Sequence, residues 1–284
     1  MNESFGARLR VAMDELGPLC AGIDPHPGLL AHWGLDENVQ GLERFALTCV
    51  DAFAGTVAVV KPQSAFFERF GSAGVAVLER TLAGLREAGT LSLLDVKRGD
   101  IGSTMTAYAN AYLSHDSPLR ADAITVSPFL GFESLRPALE LANKSGRGVF
   151  VLTLTSNPEG PQVQHATLDG RTVAARVVDG VTTWNAPDAG AGALGSVGLV
   201  VGATVGDAVQ KLGLDLAAAN APLLAPGVGA QGATTDDLRT VFGAALANVL
   251  ASSSREILGA GPDAPALRAA ARHTANQLNV ILGT

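Results

Sequence analysis

Cysteine is scarce in this chain of 284 residues. Cys20 and Cys49 both stand in apolar surroundings, and two cysteines supply neither a disulfide framework nor a metal-ligand spacing. We therefore expect buried thiols in a reducing compartment. The 5 histidines are scattered without a ligand-like spacing, so no metal site is predicted.

Clusters of lysine and arginine are also absent, and the formal net charge is -7. A nucleic-acid groove needs a concentrated basic surface, so we expect no nucleic-acid partner. The sequence has no run of about 18 uncharged apolar residues, the length that a membrane span requires. Residues 3–16 mix charges with apolar residues on one helical face, which predicts an N-terminal helix rather than a signal peptide. We expect a soluble, cytoplasmic protein.

Short apolar runs, each ended by polar residues or glycine, recur along the chain. The eight runs are residues 19–23, 57–60, 91–94, 123–126, 149–154, 197–201, 223–225 and 245–251. Helical patterns lie between them, and nearly continuous apolar character is typical of parallel strands covered on both faces. Eight alternating strand and helix units predict a TIM (β/α)8 barrel, here a single domain over residues 1–284. On strand patterning alone, a doubly wound open sheet is the alternative.

Two further helices are predicted at residues 74–88 and 134–142. The connection at residues 160–193, after the fifth strand, is longer than usual for a barrel. It contains a helical pattern at residues 172–184 and a glycine-rich run after Pro187. Its role as a lid or as a subunit contact is left open.

Charged residues stand where apolar runs end, which is the edge where barrel enzymes carry their chemistry. In an extended strand Asp95 and Lys97 share one face, and Asp100 follows just beyond. Burying such charges costs several kcal/mol per ion unless they are paired, which favours a functional role over a structural one. A solvated strand end with a surface ion pair is the alternative. Lys61 ends the second run, where a snorkelling lysine is the alternative to a site residue.

A glycine loop at residues 226–232 follows the seventh run and contains G-x-G-x-x-G. A dinucleotide-binding domain would need an acid about twenty residues later and further strands, but fewer than thirty residues follow Arg255. The loop instead offers closely spaced backbone N–H groups to a phosphate. The planar fork of Arg255, just past the eighth run, suits the same phosphate. An NADP-dependent oxidoreductase and a turn without ligand are the weaker alternatives.

Taken in order, the Lys61 strand end, the pattern Asp95-x-Lys97-x-x-Asp100 and the glycine loop resemble orotidine 5′-phosphate decarboxylase, best in its longer bacterial form, type 2. The resemblance extends from residue 21 to residue 255, and residues 94–104 are its most specific segment. It implies decarboxylation of orotidine 5′-monophosphate to UMP and CO2 in de novo pyrimidine biosynthesis. It also implies that no metal or organic cofactor takes part.

The same resemblance implies residue roles. Lys97 would donate a proton to C6 of the pyrimidine, with Asp95 and Lys61 completing a charged network. Asp100 and Thr104 would enter the site of a neighbouring subunit, which makes a homodimer the functional unit. The remaining substrate contacts would be Asp24 at the ribose hydroxyls, Ser156 at the pyrimidine edge, and Gly227, Gly229, Gln231 and Arg255 at the phosphate.

Two other functions are weighed against this one. A sibling decarboxylase acting on a sugar phosphate shares the Asp-x-Lys-x-x-Asp pattern and uses a magnesium ion. Its metal needs an acidic ligand at the second strand end, where Lys61 would repel a cation. A non-catalytic nucleotide-phosphate-binding module would leave Asp95, Lys97 and Asp100 without a function.

Overall fold

A closed barrel of parallel strands forms the centre of the computed structural model, which describes residues 3–228 and 235–283. Each strand pairs with the next one along the chain, and the last strand closes on the first, where Cys20 aligns with Ser252. Closure confirms the predicted TIM barrel and excludes the open sheet. The strands are β1 (Leu19–Ile23), β2 (Val59–Pro62), β3 (Leu91–Arg98), β4 (Ala123–Val126), β5 (Gly148–Leu154), β6 (Val197–Val201), β7 (Leu223–Pro226) and β8 (Val249–Ser253).

Strand limits agree with the sequence prediction best at β1, β4 and β6, which cover the predicted residues. The prediction was wrong for the start of the eighth strand, because residues 245–248 lie in a 3-10 helix, Gly243–Asn248, and β8 begins at Val249. A short apolar run fits a buried helical turn as well as a strand, so composition does not separate them. β3 also continues further than predicted, through Arg98.

Helices surround the barrel, and several begin at a side chain that caps the first turn. Asn38 accepts a hydrogen bond from the Gly41 N–H, and Asp263 accepts one from the Ala266 N–H. Among the helices of the described residues, none combines the length and apolar character needed to span a bilayer. The helices are α1 (Phe5–Leu16), α2 (Pro27–His32), α3 (Val39–Phe53), α4 (Ala65–Glu68), α5 (Gly71–Glu87), α6 (Gly102–Leu113), α7 (Arg136–Ser145), α8 (Pro161–Gln164), α9 (Val173–Gly190), α10 (Ala208–Lys211), α11 (Thr235–Phe242), α12 (Arg255–Leu258) and α13 (Ala264–Leu282).

The N-terminal helix α1 seals one end of the barrel. Phe5 is fully buried, and its ring lies edge-to-face against Phe150 with 6.0 Å between the ring centroids. A Cβ at position 148 would lie 2.3 Å from the Phe5 ring, so Gly148 is required for this contact. Leu9 and Met13 join the same buried cluster, which fills the barrel interior. The opposite end, where the strands terminate, remains free for a cavity.

The long connection after β5 is mostly a helix of the barrel wall. It contains α8, a hairpin of two-residue strands (Thr167–Leu168 and Arg171–Thr172) and α9, whose first turn is capped by Thr172. The helix extends beyond the predicted residue 184 and includes Pro187. Buried Asn185 donates to the carbonyl oxygens of Val197 (2.8 Å) and Ala219 (3.0 Å), which ties α9 to β6.

Candidate active site

A cavity of about 490 Å³ opens at the carboxyl ends of the barrel strands. Neighbouring strands each deliver polar side chains to it, as expected when chemistry is built on one end of a barrel. The cavity brings together six of the predicted residues: Asp24, Lys61, Asp95, Lys97, Gly227 and Arg255. Its wall also includes residues that were not predicted as site residues, namely His26, Thr125, Leu152, Thr155, Val200, Leu224, Pro226, Val228, Ser252, Ser253 and Ser254.

Two ammonium groups hold the carboxylate of Asp95 between them. Lys61 Nζ lies 3.2 Å from Asp95 Oδ2, and Lys97 Nζ lies 2.6 Å from Asp95 Oδ1. The side chains of Lys61 and Asp95 are each 9% exposed, whereas that of Lys97 is 46% exposed. Lys61 therefore does not snorkel to solvent, and Lys97 is the ammonium that faces the cavity with room for a ligand.

Electrostatics keeps this network ionised. Burial opposes the charge of Asp95, but the charges of Lys61 and Lys97 and hydrogen bonds from Lys97 and Thr125 outweigh it and lower the pKa of Asp95 to about 2. Burial likewise opposes the charge of Lys61, yet the carboxylates of Asp24 and Asp95 outweigh it and raise the pKa of Lys61 above its usual range. Both groups are charged at neutral pH.

Thr125, at the end of β4, positions the network from the adjacent strand. Its hydroxyl donates to Asp95 Oδ1 at 2.7 Å and accepts from the Lys97 backbone N–H at 3.0 Å. Lys97 adopts a φ of 45°, and the β3–β4 register shifts between Leu94 and Arg98. The predicted extended strand face was therefore wrong at Lys97, although its side chain still reaches Asp95. A left-handed backbone at a residue with a side chain costs about 1–3 kcal/mol and occurs mainly at functional sites.

Polar atoms without a partner line another part of the cavity. Asp24 Oδ1, Ser253 Oγ and Ser254 Oγ are buried, and none has a hydrogen-bond partner among the described residues. Buried polar atoms are normally satisfied, so these atoms suit the hydroxyl or oxyanion groups of a ligand. A Cβ at Gly22 would lie 2.7 Å from Ser254 Cβ and 3.3 Å from Asp24 Oδ2, so glycine is needed here. In the sequence, the run of serines before Arg255 is the feature that points to Ser253 and Ser254.

Some of the predicted residues lie elsewhere. Asp100 Oδ1 accepts from the Ile101 N–H at 2.8 Å, and Thr104 is exposed on α6. Neither these two nor exposed Ser156 is among the described residues that line the cavity of their own chain. Gly229 and Gln231 lie outside the described residues. Within the described ranges, no group of three or more His, Cys, Asp or Glu side chains is arranged to hold a metal ion.

The closed barrel and the charged cavity at its strand ends define a TIM-barrel enzyme. Comparison with known proteins narrows this class. The model of the orotidine 5′-phosphate decarboxylase / HUMPS family matches residues 17–270, and the chain belongs to that family.

Similar proteins cover nearly the whole chain. An orotidine 5′-phosphate decarboxylase of Salinispora arenicola is 66% identical over 270 residues, which is 95% of this chain and 95% of the relative. That of Streptomyces coelicolor is 61% identical over 271 residues, with the same coverage of 95% for both chains. A crystal structure from Streptomyces avermitilis, provisionally named orotidine 5′-phosphate decarboxylase, has a TM-score of 0.93 and 58% identity and covers 100% of this chain and 97% of that one.

Proposed function

We propose that this protein decarboxylates orotidine 5′-monophosphate to UMP and CO2, a step of pyrimidine biosynthesis, at the cavity on the strand ends. The named activity of relatives 60–66% identical supports this substrate. The observation that carries the chemistry is the Asp95 carboxylate held between Lys61 and Lys97 at the cavity wall. Through this contact Asp95 fixes the ammonium group of Lys97, and the proposed chemistry needs no cofactor.

Lys97 has the central role in the proposed mechanism. The bond between C6 and the carboxylate breaks, and its electron pair stays on C6 in an orbital orthogonal to the ring π-system. Delocalisation gives little help there, so the nearby ammonium must stabilise the developing charge. Lys97 then transfers a proton from Nζ to C6, and water restores that proton. Asp95, whose pKa is lowered to about 2, remains ionised and orients the Lys97 ammonium through their contact of 2.6 Å.

Repulsion between Asp95 and the substrate carboxylate would add ground-state destabilisation, which we treat as secondary. Remote binding energy is the larger contribution. Arg255 and Gly227 line the cavity where the substrate phosphate is proposed to bind, with Gly229 and Gln231 as further contacts. Energy gained at the phosphate aligns the pyrimidine over Lys97.

The other substrate contacts are proposed at Asp24 and Ser156. The free Oδ1 of Asp24 suits a ribose hydroxyl, because a carboxylate oxygen accepts such a donor well. Ser156, exposed beyond the end of β5, is proposed to contact the pyrimidine edge. The orphan hydroxyl of Ser254, which lines the same cavity and also faces Gly22, supports a polar ligand at this position.

We also propose a homodimer in which Asp100 and Thr104 complete the cavity of the neighbouring subunit. Both residues lie next to the catalytic strand yet outside the cavity of their own chain. Ile101, between them in sequence, is 61% exposed, which suits a contact surface.

We propose a cytoplasmic location for the protein. A reducing cytoplasm fits Cys20 and Cys49, which are buried free thiols.

Lys61 separates this function from that of a magnesium-dependent sugar-phosphate decarboxylase. Its ammonium lies 3.2 Å from Asp95, in the position where such an enzyme needs an acidic ligand. Hard divalent cations take oxygen ligands and are repelled by an adjacent ammonium. The active-site charge therefore favours a metal-free reaction.

The test is the loss of orotidine 5′-monophosphate absorbance in the presence of excess EDTA. We expect rapid turnover by the wild type and a loss of roughly a thousandfold or more in Lys97→Ala, because the charge stabilisation and the proton donor disappear together. Lys211→Ala is the matched control, since Lys211 ends α10, pairs with Asp207 just before that helix and lies outside the cavity lining. Turnover that EDTA abolishes would favour the metal-dependent enzyme, and no turnover by the wild type would favour the binding module.

A further inference from the structure

Arginines gather at the end of the barrel opposite the cavity. Arg8 is on α1, Arg86 is in the last turn of α5, and Arg120 and Arg147 precede β4 and β5. We call these four residues the arginine cluster. They lie close enough together that the charges of Arg8, Arg120 and Arg86 all act on Arg147. Such a concentration of positive charge is notable in a chain whose net charge is -7.

Arg147 is the buried member of the cluster. Only 9% of its surface is exposed, and its guanidinium donates to the carbonyl oxygen of Ala121. Its Nε is buried and has no hydrogen-bond partner among the described residues, and no described carboxylate lies within 4.0 Å of its side-chain nitrogens. Burial lowers the pKa of Arg147, the charge of Asp122 opposes this, and the neighbouring guanidinium charges add to the lowering. A buried charge with an unsatisfied donor is costly unless an acceptor joins it.

The nearest carboxylate, Asp122, is already engaged. Its Oδ1 accepts from Arg8 Nη1 at 2.7 Å, and its Oδ2 accepts from the Ser92 N–H at 3.0 Å and the Ser92 hydroxyl at 3.1 Å. The charge of exposed Glu87 acts on Arg86 but not on Arg147. Asp122 therefore forms its ion pair with Arg8, and its charge acts on Arg147 without a direct contact within 4.0 Å.

A basin of about 320 Å³ lies against Arg8 and Arg147 of this cluster and opens to solvent. Arg8 and Arg147 line it together with His115, Ser145 and Gly146. Two carboxylates also line it, exposed Glu3 and the Asp122 that pairs with Arg8. Arg86 and Arg120 lie outside this lining and act on it only through their charge. The basin has the volume for a tetrahedral oxyanion, whose oxygens accept the forked N–H donors of guanidinium groups. We propose that it binds a phosphate group, either as free phosphate or as part of a nucleotide.

This site is separate from the decarboxylation cavity and does not depend on the proposed function. A phosphate here would join α1, through Arg8, to the loops that precede β4 and β5. Because it binds the folded protein and bridges these elements, it would raise the unfolding temperature. The occupant is thus expected to stabilise the sealed end of the barrel.

Calorimetric titration of inorganic phosphate, and of ATP in a second arm, tests the site. All titrations use Arg255→Ala protein, which lacks the arginine proposed for the active-site phosphate. We expect one phosphate site per chain in this background. Affinity should be about tenfold weaker after adding Arg86→Gln and Arg120→Gln, since each removes a positive charge that acts at Arg147. These two substitutions leave Arg147 and its bond to Ala121 in place, so we expect the variant to fold.

Matched variants sharpen the result. Arg10→Gln is the control, because Arg10 is also on α1 but donates to the Ala247 carbonyl oxygen and to Asn248. It should leave phosphate affinity unchanged, whereas Glu3→Gln should strengthen it by removing a like charge. Tighter binding of ATP than of phosphate, with the same dependence on Arg86 and Arg120, supports the site and identifies a nucleotide as the source.

An absence of binding in Arg255→Ala protein, or equal affinity with and without the two cluster substitutions, would overturn the proposal. Decarboxylation by the Arg86→Gln, Arg120→Gln protein with Arg255 intact is measured separately. It should match the wild type, so failure of the anion site is distinguishable from failure of the proposed decarboxylase function.

Discussion

Asp95 is the residue on which the charge of the candidate active site depends. Its carboxylate is 9% exposed and contacts Lys61, Lys97 and Thr125 at once. Removing its charge leaves the buried ammonium of Lys61 without its ion-pair partner. Breaking a buried ion pair on one side is among the more destabilising changes known, because the remaining charge stays desolvated.

We therefore predict that Asp95→Asn lowers the free energy of unfolding at pH 7 by roughly 3–5 kcal/mol. Denaturant unfolding of the two proteins measures the difference. Asp207→Asn is the control, since Asp207 forms a surface pair with Lys211 and is 62% exposed. Equal stability of Asp95→Asn and the wild type would show that Lys61 finds compensation elsewhere.

The difference in unfolding free energy between the wild type and Asp95→Asn should depend on pH. The pKa of Asp95 is lowered to about 2 in the folded protein, whereas an unfolded aspartate titrates near about 3.9. Its contribution is complete above about pH 4 and is lost as pH falls toward about 2. The stability difference between wild type and Asp95→Asn should narrow within this range. A difference that stays constant down to pH 2 would contradict the lowered pKa.

Thr125 is a positioning residue that only the structure identified. We predict that Thr125→Val lowers kcat, because Asp95 loses one hydrogen bond and the Lys97 backbone N–H loses its acceptor, and costs about 1–3 kcal/mol in stability. Thr153→Val is the control: Thr153 is equally buried, but its hydroxyl donates to the Val151 carbonyl oxygen on its own strand. Steady-state kinetics should show a kcat loss confined to Thr125→Val. Equal loss in both variants would assign Thr125 to packing alone.

Helix α1 and strand β3 act at opposite ends of the barrel. Helix α1 stabilises the closed end through Phe5, whereas β3 departs from regular geometry at Lys97, at the functional end. Strain at the active site must be offset by packing elsewhere, and the fully buried residues of α1 and the barrel interior supply such packing.

We predict that Phe5→Ala lowers the free energy of unfolding by about 3–5 kcal/mol, through lost burial and the cavity left beneath Phe150. Chemical denaturation measures it. Val11→Ala on the same helix is the control. Val11 is 49% exposed, so its substitution should lower the free energy of unfolding by about 0.5 kcal/mol or less. Equal losses for the two variants would mean that α1 does not seal the barrel.

For the whole molecule, the proposed homodimer makes a quantitative prediction. Lys97→Ala and Asp100→Ala should each be nearly inactive alone. Unfolding and refolding an equal mixture should restore about a quarter of wild-type activity, because half of the dimers are mixed and each of these has one complete site of two. The assay follows substrate absorbance after refolding. Activity no greater than the sum of the separate proteins would contradict a shared site.

Much of the barrel was predictable from the sequence. Parallel strands covered on both faces must be apolar throughout, so their number and order appear as eight apolar runs. Site residues at strand ends were predictable for a related reason: charges such as Lys61 and Asp95 interrupt apolar runs, and barrel geometry carries all such ends to one side. Local composition is sufficient for features of this kind.

Other features depended on the closed structure. Whether residues 245–251 begin as helix or strand, where Thr125 meets Asp95, and how Phe5 packs on Phe150 all follow from strand register and barrel closure. These contacts join residues distant in the chain, and no local pattern encodes their approach. The orphan hydroxyls of Ser253 and Ser254 and the unpaired Nε of Arg147 belong to the same class, because burial and missing partners are defined only by the surrounding fold.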